Sequence, residues 1–394
     1  MFILCILFIL VLLVIISYVK IKYGFWVSQP VFHIYDIGYM IYPPGIINHE
    51  LPETNKYTNF KNIETFVESE MSVIKLDKVV NFVKLNYLQN KDNIFDPKKE
   101  NIVPYFKGHN TKSFVSFYNE DIILTDSKNG TMVDEQKIIG IMTSRPIHIS
   151  ITGGNDSIFD AYYVDYLCVD KSYRKKGIAP QIIQTHHYNQ SHINKNIHVS
   201  LFKREEELTG IVPLCVYSTY GFSVNRWTKP QQLLQMYSIL EVNSQNMHLL
   251  IDFIKINKSV FDIIINTEIS NIIELIKTKN IYIFVIMIDN SIICAYFFRK
   301  SCVFIEKDKE VLSCFASINN GNNDIFIQGF KICFWKIADE NNFGFSAVEN
   351  ISHNNIIIDN LITKTKPMIV SPTAYFFYNF AYNSFKPERT LIIN

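Results

Sequence analysis

Residues 163–183 read YVDYLCVDKSYRKKGIAPQII, and the rest of the chain is read outward from them. The run YYVDYLCV, residues 162–169, is almost continuously apolar, the pattern of a strand buried on both faces. A basic, Gly-containing turn, DKSYRKKGIAP, follows it, and residues 181–192 then have helical character. Pro180 suits the first turn of that helix, where its missing N–H costs nothing. Residues 197–202 predict the next strand. Such a strand–turn–helix unit turns several backbone N–H groups outward at a positive helix N-terminus. Gly177 permits a positive φ or close approach to a phosphate. Arg174, Lys175 and Lys176 add charge. Local composition admits two readings: a pyrophosphate site, or a solvated basic turn before an ordinary helix.

Upstream, residues 62–88 predict a helix with a capping residue near Ser72, and residues 37–58, rich in Pro and Gly, a covering loop. Residues 114–123, 137–143 and 147–151 predict strands, the last two separated by Arg145-Pro146 after an Asn129-Gly130 turn. Downstream the cycle restarts near residue 228. Helices are predicted at 247–258, 269–278 and 324–341, and strands at 281–288, 292–298, 311–317, 343–348 and 375–381. No repeat of fixed period is visible.

Hydrophobic residues make up 48% of the 394, and charged residues 19%, which supports a packed core and excludes extended disorder. With 38 basic and 37 acidic residues the net charge is +1, so no global field for nucleic acid is expected. Cys5, Cys168, Cys215, Cys294, Cys302, Cys314 and Cys333 form no CxxC pair and no zinc-spaced cluster with His. They read as free buried thiols of a reducing compartment, and no metal is expected.

Residues 2–19, FILCILFILVLLVIISYV, are nearly all apolar. As a helix they would span about 27 Å, close to the hydrocarbon thickness. No basic residue precedes them, and Lys20 and Lys22 follow. The expectation is an uncleaved single-pass anchor with the body in the cytosol, leaving the sequons at Asn129 and Asn155 unmodified.

Arg174-Lys175-Lys176-Gly177-Ile178-Ala179 matches the acyl-CoA pyrophosphate motif of the GNAT superfamily, Gln/Arg-x-x-Gly-x-Gly/Ala. The wider YLCVDKSYRKKGIAP resembles the signature of the N-myristoyltransferase family. Further islands occur in the family's order: Tyr23-Gly24-Phe25-Trp26 with Gln29-Pro30, LNYLQNKDNIF at 85–95, KIIGIMTSRP at 137–146, FSAVENISHNN at 345–355, and the terminal FFYNFAYNSFKPERTLIIN. Residues 225–290 carry no such island.

The resemblance implies an α/β (α+β) fold of two fused GNAT-like halves, here behind one N-terminal transmembrane helix. The divisions are 1–22 as anchor, 23–225 as the acyl-CoA-binding half and 226–394 as the half on the peptide side. It implies acyl transfer from a long-chain acyl-CoA, with myristoyl-CoA the expected co-substrate, to the N-terminal glycine amine of a peptide or protein. The backbone N–H groups of Tyr166 and Leu167 would face the thioester oxygen as an oxyanion hole. Cys168 and Val169 would line the cofactor. Lys175, Gly177, Ile178 and Ala179 would hold its pyrophosphate, and Gly24, Phe25 and Trp26 would contact it from the N-terminal arm. The terminal carboxylate on Asn394 would take the proton of the attacking amine.

Two departures fall on the peptide side. The family's Tyr-Thr-Ala-Gly strand is replaced by HVSLFKREEELTGIVP, and DPKKEN follows the acidic loop. The run Lys203-Arg204-Glu205-Glu206-Glu207 reads as a solvated turn, and His186, His187 and His192 as packing or surface residues. No Ser/His/Asp arrangement appears, which favours direct amine attack over a covalent acyl-enzyme. Two other functions fit the same residues: a GNAT enzyme with another acyl chain or amine, and a catalytically silent acyl-CoA- or lipid-binding membrane protein.

Overall fold

A computed structural model describes residues 2–22, 24–88, 93–125, 132–152, 157–205, 210–225, 227–306 and 309–394. Along the first part lie α1 (Phe2–Lys22), α2 (Ile37–Ile41), β1 (Gly45–Ile46), β2 (Ile63–Val67), α3 (Val73–Asn86), β3 (Ile94–Phe95), α4 (Lys99–Ile102), β4 (Phe114–Thr125), β5 (Met132–Ile151), β6 (Ser157–Val169), α5 (Ile178–Ile193), β7 (Val199–Glu205) and β8 (Cys215–Ser223). There follow β9 (Tyr237–Glu241), α6 (Met247–Ile256), β10 (Ile263–Asn266), α7 (Ile269–Lys277), β11 (Ile281–Ile288), β12 (Ser291–Glu306), β13 (Lys309–Asn319), α8 (Asn323–Asn341), β14 (Phe343–Glu349), α9 (Asn354–Lys364), β15 (Ile369–Tyr378), β16 (Phe380–Ala381) and β17 (Thr390–Ile393).

One twisted sheet carries most of the molecule, in the order β17-β10-β5-β6-β7-β15-β8-β14-β13-β12-β11-β9, with β4 and β2 continuing outward from β5. Two parallel pairs stand out, β6/β7 joined through α5 and β13/β14 joined through α8. The strands between them are exchanged. β15, late in the chain, pairs with β7, while the earlier β8 pairs with β14 and β15.

Helix α5 lies close against β5 because residue 140 is glycine. A Cβ there would stand 2.5 Å from Ile182 Cδ1 and 3.4 Å from Ile178 Cγ2. That packing fixes the first turn of α5, and with it the loop that precedes the helix.

Several expectations change. Residues 62–88 are not one helix: β2 pairs with β4 before α3 begins, although Ser72 does cap α3 by accepting from Lys75 N at 3.3 Å. Residues 137–143 and 147–151 belong to a single strand running through Arg145-Pro146. Pro146 is tolerated because it sits where β4 has ended, at Ser144, and before β10 begins, at His148, so its missing N–H breaks no ladder on that side. The expected loop at 37–58 contains α2, and the terminal strand divides into β15 and β16. The Asn129-Gly130 turn and both sequon asparagines lie outside the described residues.

The membrane anchor is also corrected. No helix among the described residues is long and apolar enough to cross a membrane. The orientation inferred from Lys20 and Lys22 falls with the anchor it assumed.

Candidate active site

Strands β6 and β7 run side by side only from Ala161/Val199 to Val164/Phe202. Beyond that point β6 stays with β5 and β7 stays with β15, so the sheet parts between residues 165–169 and 203–205. At the fork β6 carries a bulge: Met142 pairs with Leu167 and Ser144 with Val164, leaving Asp165 and Tyr166 opposite Thr143 alone. The extra residue breaks the strict alternation of faces. Asp165 and Tyr166 consequently both reach one cavity, and Leu167 another.

The first cavity, about 260 Å³, lies between the fork and α5. Trp26, Met142, Val164, Leu167, Ile183 and Phe202 make most of its wall apolar. Trp26 stacks on Phe202 with ring centroids 5.7 Å apart. The second cavity, about 350 Å³, lies across the fork and is lined by charged groups, among them Arg145, Lys203, Glu205, Arg299 and Glu349. Tyr87, Asp165 and Lys203 belong to both walls.

Tyr166 N–H donates to Thr143 Oγ1 at 3.1 Å. The Tyr166 ring packs edge-on against Tyr87, with centroids 5.1 Å apart. Cys168 is buried among Val79, Val83 and Phe117, and burial pushes its thiol up to about 12. It is therefore a protonated packing residue and no nucleophile. The six described cysteines are all free and buried. Val169 packs with Ile178 and Ile182 where β6 meets α5.

The loop from residue 170 to 177 is built for exposed backbone. Asp170 caps its first turn, accepting from Ser172 N at 2.9 Å, and Lys137 braces Asp170 at 3.1 Å. Lys175 and Gly177 have φ of +64° and +77°, both in the left-handed region. A Cβ on Gly177 would meet nothing within 4 Å. Lys175 is exposed and Ala179 half-buried. Lys176 lies over the Tyr173 ring at 4.6 Å. Arg174 instead turns inward, donating to Asn86 O at 3.0 Å and Val169 O at 3.3 Å, and so anchors the loop.

On the N-terminal arm Gly24 is exposed, and Phe25 is wedged between Trp26 and Tyr57, each 5.0 Å away; of the three residues only Trp26 lines the first cavity. Asn394, after β17, is fully buried, and its carboxamide has no hydrogen-bond partner among the described residues. It lines neither cavity.

Two groups of charged or titratable residues escaped the sequence reading. The first surrounds Glu349, which receives Lys203 Nζ at 3.0 Å, Arg299 Nη2 at 2.8 Å and the Tyr217 hydroxyl. Burial pushes the Glu349 carboxyl up, but Lys203 and Arg299 outweigh it and hold the group at about 2. Lys203 thus belongs to a buried ion cluster and Lys203-Arg204-Glu205 to β7, while Glu206 and Glu207 lie outside the described residues; the solvated turn is corrected to that extent. The second group is the pair Arg145–Asp165, with Arg145 Nε 3.1 and 3.0 Å from the two carboxylate oxygens. Asp165 sits in the run read as an apolar strand, and Arg145 in the dipeptide read as a break between two strands. The only sequence signal was an acid inside an apolar run and an arginine between two apolar runs.

His186 and His187 are buried. Ser144 donates to Gln190 Oε1 at 2.6 Å, so its oxygen takes the His186 Nε2–H at 2.8 Å, and His186 Nδ1 accepts from Ser116 at 2.8 Å. Thr65 completes that chain at 2.7 Å from Ser116, with Asn189 donating to it at 2.9 Å. Both histidines are packed in the interior, as read, and both also line the first cavity.

Comparison with known proteins bears on this geometry. Residues 50–215 match the family model described as the N-terminal domain of myristoyl-CoA:protein N-myristoyltransferase. Among curated proteins none matches. The fold is similar to crystal structures of Saccharomyces cerevisiae N-myristoyltransferase with bound myristoyl-CoA. One has a TM-score of 0.69 at 13% identity, covering 92% of this chain and 94% of that one. Another has a TM-score of 0.70 at 14% identity, covering 92% and 90%.

Proposed function

We infer, from a chain whose residues 50–215 belong to the myristoyl-CoA:protein N-myristoyltransferase family, that it transfers a myristoyl group from myristoyl-CoA to the amino group of an N-terminal glycine. The observation that carries the reading is the fork between β6 and β7, with a bulge at Asp165-Tyr166 and a cavity on either side. The apolar cavity suits an acyl chain and the charged one a peptide. The fork is where backbone N–H groups are free of a second strand.

In this reading residues 23–225 and 226–394 are two fused GNAT-like halves, the first binding acyl-CoA and the second completing the peptide side. The thioester oxygen is received by Tyr166 and Leu167 N–H, the Tyr166 N–H exchanging its present acceptor, Thr143 Oγ1, for the oxyanion. Two such donors are worth about 3 kcal/mol each in the transition state. The glycine nitrogen attacks the carbonyl carbon, and the tetrahedral intermediate expels CoA. Trp26 closes the acyl cavity, Phe25 and Gly24 carry the arm over it, and Cys168 and Val169 pack beneath it. Lys175, Gly177, Ile178 and Ala179 present the pyrophosphate loop.

Incubating the protein with myristoyl-CoA and a peptide beginning with glycine is expected to release CoA thiol and add myristate to the peptide, while a peptide beginning with alanine stays unmodified. Equal acylation of both peptides, or none of either, would overturn the assignment.

Gly177→Val tests the loop. The left-handed φ disfavours a β-branched residue, and its side chain would occupy the open space a phosphate would take. Affinity for myristoyl-CoA is expected to fall at least ~10-fold, about 1.4 kcal/mol, with a smaller change in unfolding free energy. A folded variant that binds with parental affinity would remove the loop from the site.

A further inference from the structure

We propose that an apolar ledge at the outer end of the charged cavity receives a hydrophobic side chain of the acceptor peptide beyond its glycine, and that Ile369 and Met368 select it. The proposal rests on the N-myristoyltransferase reading above, which assigns this cavity to the peptide.

Strands β14, β8 and β15 lie side by side along one wall of that cavity. Their register lays two rows of residues across the three strands. In one row Glu349 pairs with Thr219 and Thr219 with Ser371; in the next Ala347 pairs with Gly221 and Gly221 with Ile369. All six residues line the cavity, as the alternation of faces along a strand requires. The first row is polar. Glu349 ties it to Lys203, which belongs to both cavities, so this row is the one nearer the fork. The second row carries no polar side chain. Two residues of strand separate the rows, about 7 Å, the reach of two residues of extended peptide. A peptide that leaves the ion cluster along this wall therefore meets the apolar row next.

That row is open to water where the first is not. Ile369 is 55% exposed and its neighbour Met368 59%, whereas Glu349 is 4% exposed. Ile369 lies over the wall because residue 221 has no side chain: a Cβ there would stand 2.5 Å from Ile369 Cγ2. Met368 N–H donates to Gly221 O at 2.8 Å, which fixes the backbone that carries both side chains. Leu88, just after α3, lines the same cavity, is also exposed, and is held at a φ of +46°, a conformation costly for leucine. Large apolar side chains left in water around a binding cavity are the mark of a contact surface, and a bound apolar side chain removes that area from water. A lysine or glutamate at the same place would lose hydration and find no partner in the row.

The test uses the full chain, saturating myristoyl-CoA and glycine peptides in which one leucine is moved through successive positions after the glycine, each compared with its serine counterpart. One position is expected to raise kcat/KM at least about 10-fold, the effect of burying much of a leucine side chain, and to do so through KM because the contact is the same in ground and transition state. In the double variant Ile369→Ser with Met368→Ser the leucine-to-serine ratio at that position is expected to fall to within threefold, with myristoyl-CoA binding as the check that the variant is folded. Should the double variant fail to bind myristoyl-CoA, Ile369→Thr, which keeps a β-branched side chain in the strand, takes its place, and the ratio is expected to fall in the same sense. A parent that acylates the serine peptides but gains less than threefold from leucine at every position, or a folded variant that keeps the parental ratio, would overturn the ledge. A parent that acylates no glycine peptide would instead overturn the function on which the ledge rests.

Discussion

Glu349→Gln is expected to lower the unfolding free energy by about 3–5 kcal/mol, because it leaves two largely buried cations without their counter-ion. The carboxylate is 5% exposed, and Lys203 and Arg299 are each 20% exposed. Glutamine keeps the shape and one acceptor, so the loss isolates charge from packing. Arg299 lies over the Phe315 ring at 4.4 Å and Lys203 over the Tyr217 ring at 5.8 Å, contacts too weak to replace a carboxylate. Urea unfolding followed by circular dichroism measures the change. A loss below about 1 kcal/mol would mean that water reaches the cluster and screens it. The sign of the pH effect follows from the lowered carboxyl. Its contribution is present above pH ~4.5 and is lost as pH falls toward about 2.

Acid weakens the fold earlier than that through two histidines. Burial lowers His186 to about 3 and His187 to about 4. Both are neutral when folded, and both bind a proton on unfolding once the pH drops below the ordinary value of 6.5. The unfolded chain then holds more protons, so stability falls as pH falls, through a window from about 6.5 down to about 4. By pH 5 the loss is on the order of 2 kcal/mol for each histidine. His186 has a structural reason to resist: a second N–H on its ring would meet Ser116, whose hydroxyl already donates there. The raised carboxyls of Glu68, Asp165 and Glu310 act in the opposite direction, favouring the folded chain as pH falls through their folded-state values. The measurement is therefore the slope of unfolding free energy between pH 7 and 5. His186→Gln combined with His187→Phe should flatten it; an unchanged slope in that double variant would show that other groups set it.

The parts of the fold legible in the sequence are those whose local pattern and burial agree. The run 162–169 reads as a strand and is one, though residues 164–167 are half-buried beside the cavities, and Gly177 occupies the left-handed position its turn requires. Helix α8 and strands β11 and β14 were read within a few residues of their bounds. What stayed hidden depends on distant partners. Residues 63–67 become a strand only because β4 lies beside them. Pro146 continues β5 only because β4 and β10 leave a gap at that point. Lys203 is charged yet half-buried, and its counter-ion lies 146 positions away in the chain. Asp165 is one acid in an apolar strand, and the bulge that turns it toward both cavities has no signature in the residues themselves.

The exchanged strands have a consequence for how the chain is made. β8 emerges before residue 225, but both of its partners, β14 and β15, are synthesised after residue 340. β7 likewise has its second edge bare until β15 arrives. During translation the early part of the protein therefore waits with three unpaired strand edges, both of β8 and one of β7, which are templates for association with other chains. Contacts of such long sequence separation also close late and slowly. A fragment ending near residue 225 is accordingly a substrate for chaperones and aggregation, and complementation by the second fragment would succeed only if both were present before any edge found another partner.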